Sequence, residues 1–168
     1  MAAMAAATLL SAAAAATAQA ETIRIHDGRD TGAAQELVGV RVKYENMLSV
    51  AMRFSSNYFL HGEVPYTIWY DTNPTNAGPE YALYEHFGSV YRVNGWHGGL
   101  AHEVNCFVTG ATNADRHVWR ITVSDRCFGK DKGPLRVSVD AMAKTNGGPY
   151  VIDYVPGKRQ WSDRVARH

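Results

Sequence analysis

The chain has 168 residues, 17 Lys and Arg against 16 Asp and Glu, and a formal net charge of +1. Read along the chain, that balance shows neither a basic stripe that would neutralise phosphates nor an acidic block, so nucleic acid is not an expected partner. A single domain over residues 21–168 is long enough to bury roughly 68–70% of its unfolded surface and hold a true core.

Residues 1–20 carry no charge, are mostly alanine, centre on Leu9-Leu10 and end Ala18-Gln19-Ala20. Small residues at the last and third-last positions form the pattern that signal peptidase cuts, and the stretch is too short and weakly apolar for a membrane span. The expectation is a removed signal peptide and a secreted or cell-envelope protein, although no Lys or Arg precedes the apolar run. No later apolar run is long enough to be a transmembrane segment.

From there the pattern has period two. After a short run at Thr22–Ile25, Val38, Val40, Val42 and Tyr44 alternate with Gly39, Arg41 and Lys43. Leu48, Val50, Met52 and Phe54 follow, and the break at Glu45-Asn46 predicts a hairpin. Tyr66, Ile68 and Tyr70 come next, then shorter runs at Glu80–Tyr84, Ser89–Val93 and Val104–Val108. Trp119, Ile121 and Val123 alternate, as do Leu135, Val137, Val139 and Ala141, and Val151–Val155 closes the series. Turn residues separate these runs, notably Asn73–Pro79, Gly98-Gly99, Gly129–Pro134 and Asn146–Pro149. Eight to ten short strands, each apolar on one side, predict an all-β antiparallel β-sandwich of jelly-roll or immunoglobulin-like type.

Cys106 and Cys127 lack C-x-x-C or metal-ligand spacing. In an exported chain such a pair reads first as a disulfide, worth about 3 kcal/mol for a loop of this length. Cys106 is expected within a strand that pairs with His117–Val123 through a turn at Gly110–Asp115.

The stretch Asp71-Thr72-Asn73-Pro74 followed by Gly78-Pro79-Glu80-Tyr81, with Trp96 and then Cys106 and Arg126-Cys127-Phe128-Gly129, resembles a group of small secreted actinobacterial proteins without assigned function. Asn73 stands where that group often has Asp, and Phe128 where it has Leu. At the level of strand pattern the chain is also similar to DOMON and family 9 carbohydrate-binding domains. That likeness implies a binding sandwich rather than a hydrolase.

Four groups of residues carry candidate chemistry. Asp71, Asn73, Asn76 and Glu80 place oxygen ligands on one loop, and Asp27 and Asp30 add two more, so a calcium site built from Asp27, Asp30, Asp71 and Asn73 is expected. The competing reading has Asp71 and Asn73 capping their own turn. Tyr66, Trp69, Tyr70, Tyr81, Tyr84, Tyr91 and Trp96 supply aromatic rings, and Trp69, out of phase with Ile68, is expected on an outer face. His97, His102 and Glu103, with His86 or His117, have metal-ligand chemistry but no helical or strand register that unites them. The tail from Lys158 and Arg159 through Trp161 to Arg164 and Arg167 is expected to fold Trp161 over one end of the core and leave its arginines solvated.

The expected function is a non-catalytic binding module for carbohydrate or cell-wall polymer, supported by calcium. Trp69 and Trp96 would stack on the ligand while Asp71, Asn73 and Glu80 bind its hydroxyls. The alternatives are a hydrolase using two carboxylates from Asp71, Glu80, Glu85 and Glu103, and a structural or protein-interaction domain.

Overall fold

The computed structural model describes residues 22–33, 36–56, 64–84, 88–96, 99, 102–131, 133–144 and 148–167. The expected signal peptide, Glu85, His86 and His97 lie outside them. Among the described residues eleven strands appear in chain order: β1 Thr22–His26, β2 Leu37–Tyr44, β3 Met47–Phe54, β4 Tyr66–Asp71, β5 Tyr81–Tyr84, β6 Ser89–Arg92, β7 His102–Val104, β8 Val108–Asn113, β9 Val118–Ser124, β10 Arg136–Lys144 and β11 Tyr150–Val155. They form a five-stranded sheet, β1-β2-β3-β9-β8, and a six-stranded sheet, β11-β10-β4-β5-β6-β7. All pairings are antiparallel. The β-sandwich expected from alternation is therefore present, and no described helix is long and apolar enough to cross a membrane.

The period-two pattern works because each strand turns one row of apolar side chains inward. Val40, Val42, Leu48, Val50, Met52 and Ile121 of one sheet meet Tyr66, Ile68, Leu83, Val137 and Val139 of the other, all buried. One end of this core is filled by Phe128, whose ring meets Tyr44, Tyr70 and Tyr81 edge-on at centroid distances of 6.5, 5.2 and 5.4 Å. Phe128 sits in a 3-10 turn, Asp125–Phe128, capped by the Ser124 hydroxyl.

The strand expected at Val104–Val108 is two strands in different sheets. The chain leaves the six-stranded sheet after β7 and enters the five-stranded sheet at β8, crossing at Asn105-Cys106-Phe107. Cys106 therefore lies in the crossover, and its disulfide to Cys127 (Cα–Cα 5.2 Å) ties that crossover to the turn carrying Phe128. The β8–β9 turn falls at Ala114–His117, later than expected. An edge strand exposed on one side tolerates Gly110-Ala111-Thr112-Asn113, which has no large apolar residue, so composition alone places the turn too early.

Two further expectations are corrected. Trp161 does fold back, but onto the outer face of the six-stranded sheet, and the core end is closed instead by Val165, which exchanges backbone hydrogen bonds with Leu135. Arg164 donates to the Pro134 carbonyl at 2.8 Å and Arg167 pairs with Asp125 at 2.9 Å, so neither is simply solvated. The second correction concerns charge. Cations scattered singly along the chain are brought onto one side of the five-stranded sheet by pairing, with Arg24 opposite Arg41 and Ala51 flanked by Arg41 and Arg120. A basic stripe absent from the linear sequence exists in the fold.

Candidate functional site

On the six-stranded sheet, residues out of phase with the core face outward. Trp69 of β4 stands beside Tyr84 of β5 (ring centroids 5.9 Å), and Tyr84 beside Tyr91 of β6 (6.0 Å). The ladder continues into two loops, with Trp69 to Trp96 at 5.6 Å and Trp96 to Trp161 at 4.6 Å, those last rings tilted by only 31°. Arg136 of β10 lays its guanidinium over Trp161, 5.4 Å from the ring centre. All three tryptophans remain partly exposed. Partly exposed indoles in one row offer flat apolar surface that a folded domain otherwise buries.

Local chemistry explains why Trp96 reaches this face. Gly78 has φ +116°, and a Cβ there would come within 2.9 Å of the Gly95 Cα and 3.5 Å of the Trp96 ring. Only glycine allows the Asn73–Pro79 loop to pass this close. The Gly95 N–H donates to the Pro79 carbonyl and the Val93 N–H to the Glu80 carbonyl, fixing one loop on the other.

Beside the tryptophans lies a cleft of about 320 Å³ lined by Trp69, Trp96, Asp140, Tyr154, Lys158 and Arg159. Asp140 accepts the Trp69 indole N–H at 2.5 Å. Burial pushes the Asp140 carboxyl above its usual range, opposed by hydrogen bonds from Trp69 and Thr67. Among the described residues the cleft thus combines aromatic faces, the Asp140 carboxylate and a cationic rim.

The structure divides the expected site residues. Trp69 and Trp96 are brought together, with ring centroids 5.6 Å apart. Asp71 does not face a ligand: it is 0% exposed, accepts from Arg136 Nε at 2.6 Å and the Asn73 N–H at 3.0 Å, and pairs with Arg136 Nη2. Its effect on the aromatic row is indirect, through the Arg136 guanidinium on Trp161. Glu80 accepts from the Thr72 N–H, the Thr72 hydroxyl and the Asn73 N–H at 2.7, 3.2 and 3.2 Å. Asn73 Oδ1 accepts from the Thr75 N–H and hydroxyl at 3.1 and 2.7 Å. These atoms are engaged in closing their own loop, while the second Glu80 oxygen, Oε1, is buried with no partner among the described residues.

Nor do the four expected calcium ligands assemble. Asp27 and Asp30 meet Asp153, their ligand oxygens all within 4.8 Å of one another. Along β10, Asp153 lies opposite Ala141 and Asp71 opposite Arg136. Five residues of extended strand, about 16 Å, separate the two places. Asp153 is 3% exposed and accepts the Leu37 N–H at 2.7 Å. Burial first, then the nearby Asp27, Asp30 and Glu36 charges, push its carboxyl up to about 6, against that hydrogen bond. Burial and Asp30 likewise raise Asp27, whose Oδ2 is buried without a partner among the described residues. Glu36 is engaged beside them by Thr31 and Gly32.

Glu103 accepts the Ser89 hydroxyl at 2.6 Å on an exposed edge, and His102 is exposed there, while His117 sits in the β8–β9 turn; no histidine joins the acidic group among the described residues. Asp140, Tyr154, Arg136 and Asp153 were not singled out from the sequence. Strand phase alone places Asp140 and Arg136 outward, opposite to Val137 and Val139, so that signal was present. Compared with known proteins, the chain matches no family model and no curated protein.

Proposed function

We propose that this protein is a non-catalytic binding module for a carbohydrate, such as a cell-wall glycan, and that the ligand lies on the outer face of the six-stranded sheet. One observation carries the reading: the contiguous, partly exposed row Trp69–Trp96–Trp161 beside a cleft holding Asp140. Indole faces take the apolar side of a sugar ring, and Asp140, Tyr154 and Lys158 offer acceptor and donor groups to its hydroxyls. Asp71, Asn73 and Glu80 serve this face by holding the loops rather than by touching ligand. Among the described residues the cleft has one carboxylate in its lining, whereas glycoside hydrolysis by the usual route needs two about 5–10 Å apart, which favours binding over cleavage. A disulfide is what an oxidising compartment sustains, in keeping with a secreted or envelope location.

The calcium reading moves to Asp27, Asp30 and Asp153, where a cation would relieve the repulsion of three carboxylates and engage Asp27 Oδ2. Calcium is expected to raise the melting midpoint of the parent at pH 8, and Asp27→Asn with Asp30→Asn to abolish the shift. An unchanged parent midpoint refutes this part alone.

Titration of neutral cell-wall and plant glycan oligomers, followed by tryptophan fluorescence, tests the main reading. A binding glycan should quench or shift the indole emission, and Trp96→Ala should weaken it by at least about tenfold, the size of a 1.4 kcal/mol contact. Unchanged affinity in both Trp69→Ala and Trp96→Ala, or no response to any glycan, overturns it.

A further inference from the structure

The five-stranded sheet presents a different chemistry. None of its strands contains an Asp or Glu. Its outer positions hold Arg24, Arg41, Lys43, Arg53 and Arg120, and the β8–β9 turn adds Arg116. Pairing sets Arg24 opposite Arg41, Ala51 between Arg41 and Arg120, and Arg53 between Gly39 and Val118. With strands about 4.8 Å apart and alternate residues about 6.6 Å apart, these positions form a grid about 15 Å across.

Small residues make the grid concave. Gly39 and Ala51 lie among the cations, and a groove of about 280 Å³ results, bordered by Arg24, Arg41, Arg53, Arg116 and Arg120. Lys43 pairs with Glu45 at the margin, at 2.7 Å. Among the described residues none of the five arginines is in an ion pair. In a chain of net charge +1 this is a separation of charge, not an excess of it. Cations held this close repel one another, and a multivalent anion removes that repulsion at several points together.

We infer that this groove binds an acidic polysaccharide, a linear chain bearing sulfate or carboxylate groups, lying across β1, β2, β3 and β9. Guanidinium forks match sulfate and carboxylate bidentately. Other outward side chains include Thr22, Ser49, Thr109, Asn113 and Thr122, which hydrogen-bond hydroxyls, together with His26, Met47 and Val118. Among the described outward residues no Trp, Tyr or Phe ring stands and His26 is a lone imidazole, so the row of stacking rings that single-stranded nucleic acid uses is missing. The site is on the opposite sheet from the tryptophan row and does not depend on it.

The test measures binding of a short heparin oligosaccharide, as the sulfated probe, and of oligogalacturonate, as the carboxylate probe, at low ionic strength. Arg41→Glu with Arg120→Glu should weaken binding by at least about tenfold, as should the milder Arg41→Gln with Arg120→Gln if the first pair misfolds. A charge-matched change elsewhere, Arg126→Glu with Lys130→Glu, should alter it less than about twofold, and Trp96→Ala should leave it intact. Affinity should fall steeply with salt. The inference is overturned if neither probe binds, or if the control variant loses as much as the groove variant. It is equally overturned if duplex DNA or phosphatidylglycerol vesicles bind more tightly than both glycans and lose that binding in the groove variant.

Discussion

Asp153→Asn tests the electrostatics of the acidic group directly. Asp153 titrates near 6 instead of 3.8, mainly through burial and then through Asp27, Asp30 and Glu36. Between those values the folded protein keeps a proton that the unfolded chain has released. Folding therefore gains from this group at acid pH, and the gain is lost as pH rises through about 6. At about 1.4 kcal/mol per unit, the ionised side chain costs the fold up to roughly 3 kcal/mol at pH 8. Asparagine removes the charge, and its carbonyl can still accept the Leu37 N–H now bonded at 2.7 Å. In EDTA at pH 8 the variant should be more stable by up to about 3 kcal/mol, or about 6–12 °C in Tm for a domain of this size. At pH 4 the two proteins should melt together. Circular-dichroism melts across pH 4–8 read this difference, which should appear between pH 4 and 7 and then level off. A variant less stable than the parent at pH 8, or a difference that does not change with pH, would refute the reasoning.

Other substitutions probe the core and the loops. Phe128→Ala empties the ring nest of Tyr44, Tyr70 and Tyr81 and should cost about 3–5 kcal/mol in denaturant unfolding, whereas Phe128→Leu should cost distinctly less. Tyr70→Phe removes a buried hydroxyl with no partner among the described residues, whose ionisation burial strongly disfavours, and should be neutral or stabilising by about 1 kcal/mol; a loss above that would show the hydroxyl is bonded. Gly78→Ala forces a methyl against Gly95 and an unfavourable φ, and should lower Tm and red-shift tryptophan emission as Trp96 leaves its stack; unchanged emission would separate that loop from the aromatic row.

Alternation by itself determined most of the strands, because period two is a local property and one buried side is enough to write it. The adjacent hairpin β2–β3 and the inward rows Val40–Tyr44 and Val137–Ala141 follow from it. The disulfide was equally legible, since two cysteines have one pairing. Trp69 was placed outward by phase alone. Which sheet each strand joins was not written locally: the Val104–Val108 run looks continuous, yet the chain changes sheets inside it. Nor could Asp71 be separated from Asp27 and Asp30 by inspection, since register sets Asp71 beside Arg136 at the start of β10, whereas Asp27 and Asp30 gather at Asp153 of β11, five residues further along β10. The arginine grid makes the same point most sharply. Arg24, Arg41, Arg53 and Arg120 are isolated charges in the chain and neighbours in the sheet. Local side-chain polarity fixes which way a residue faces, but only long-range register fixes which residues face together, and the chemistry of both faces rests on that register.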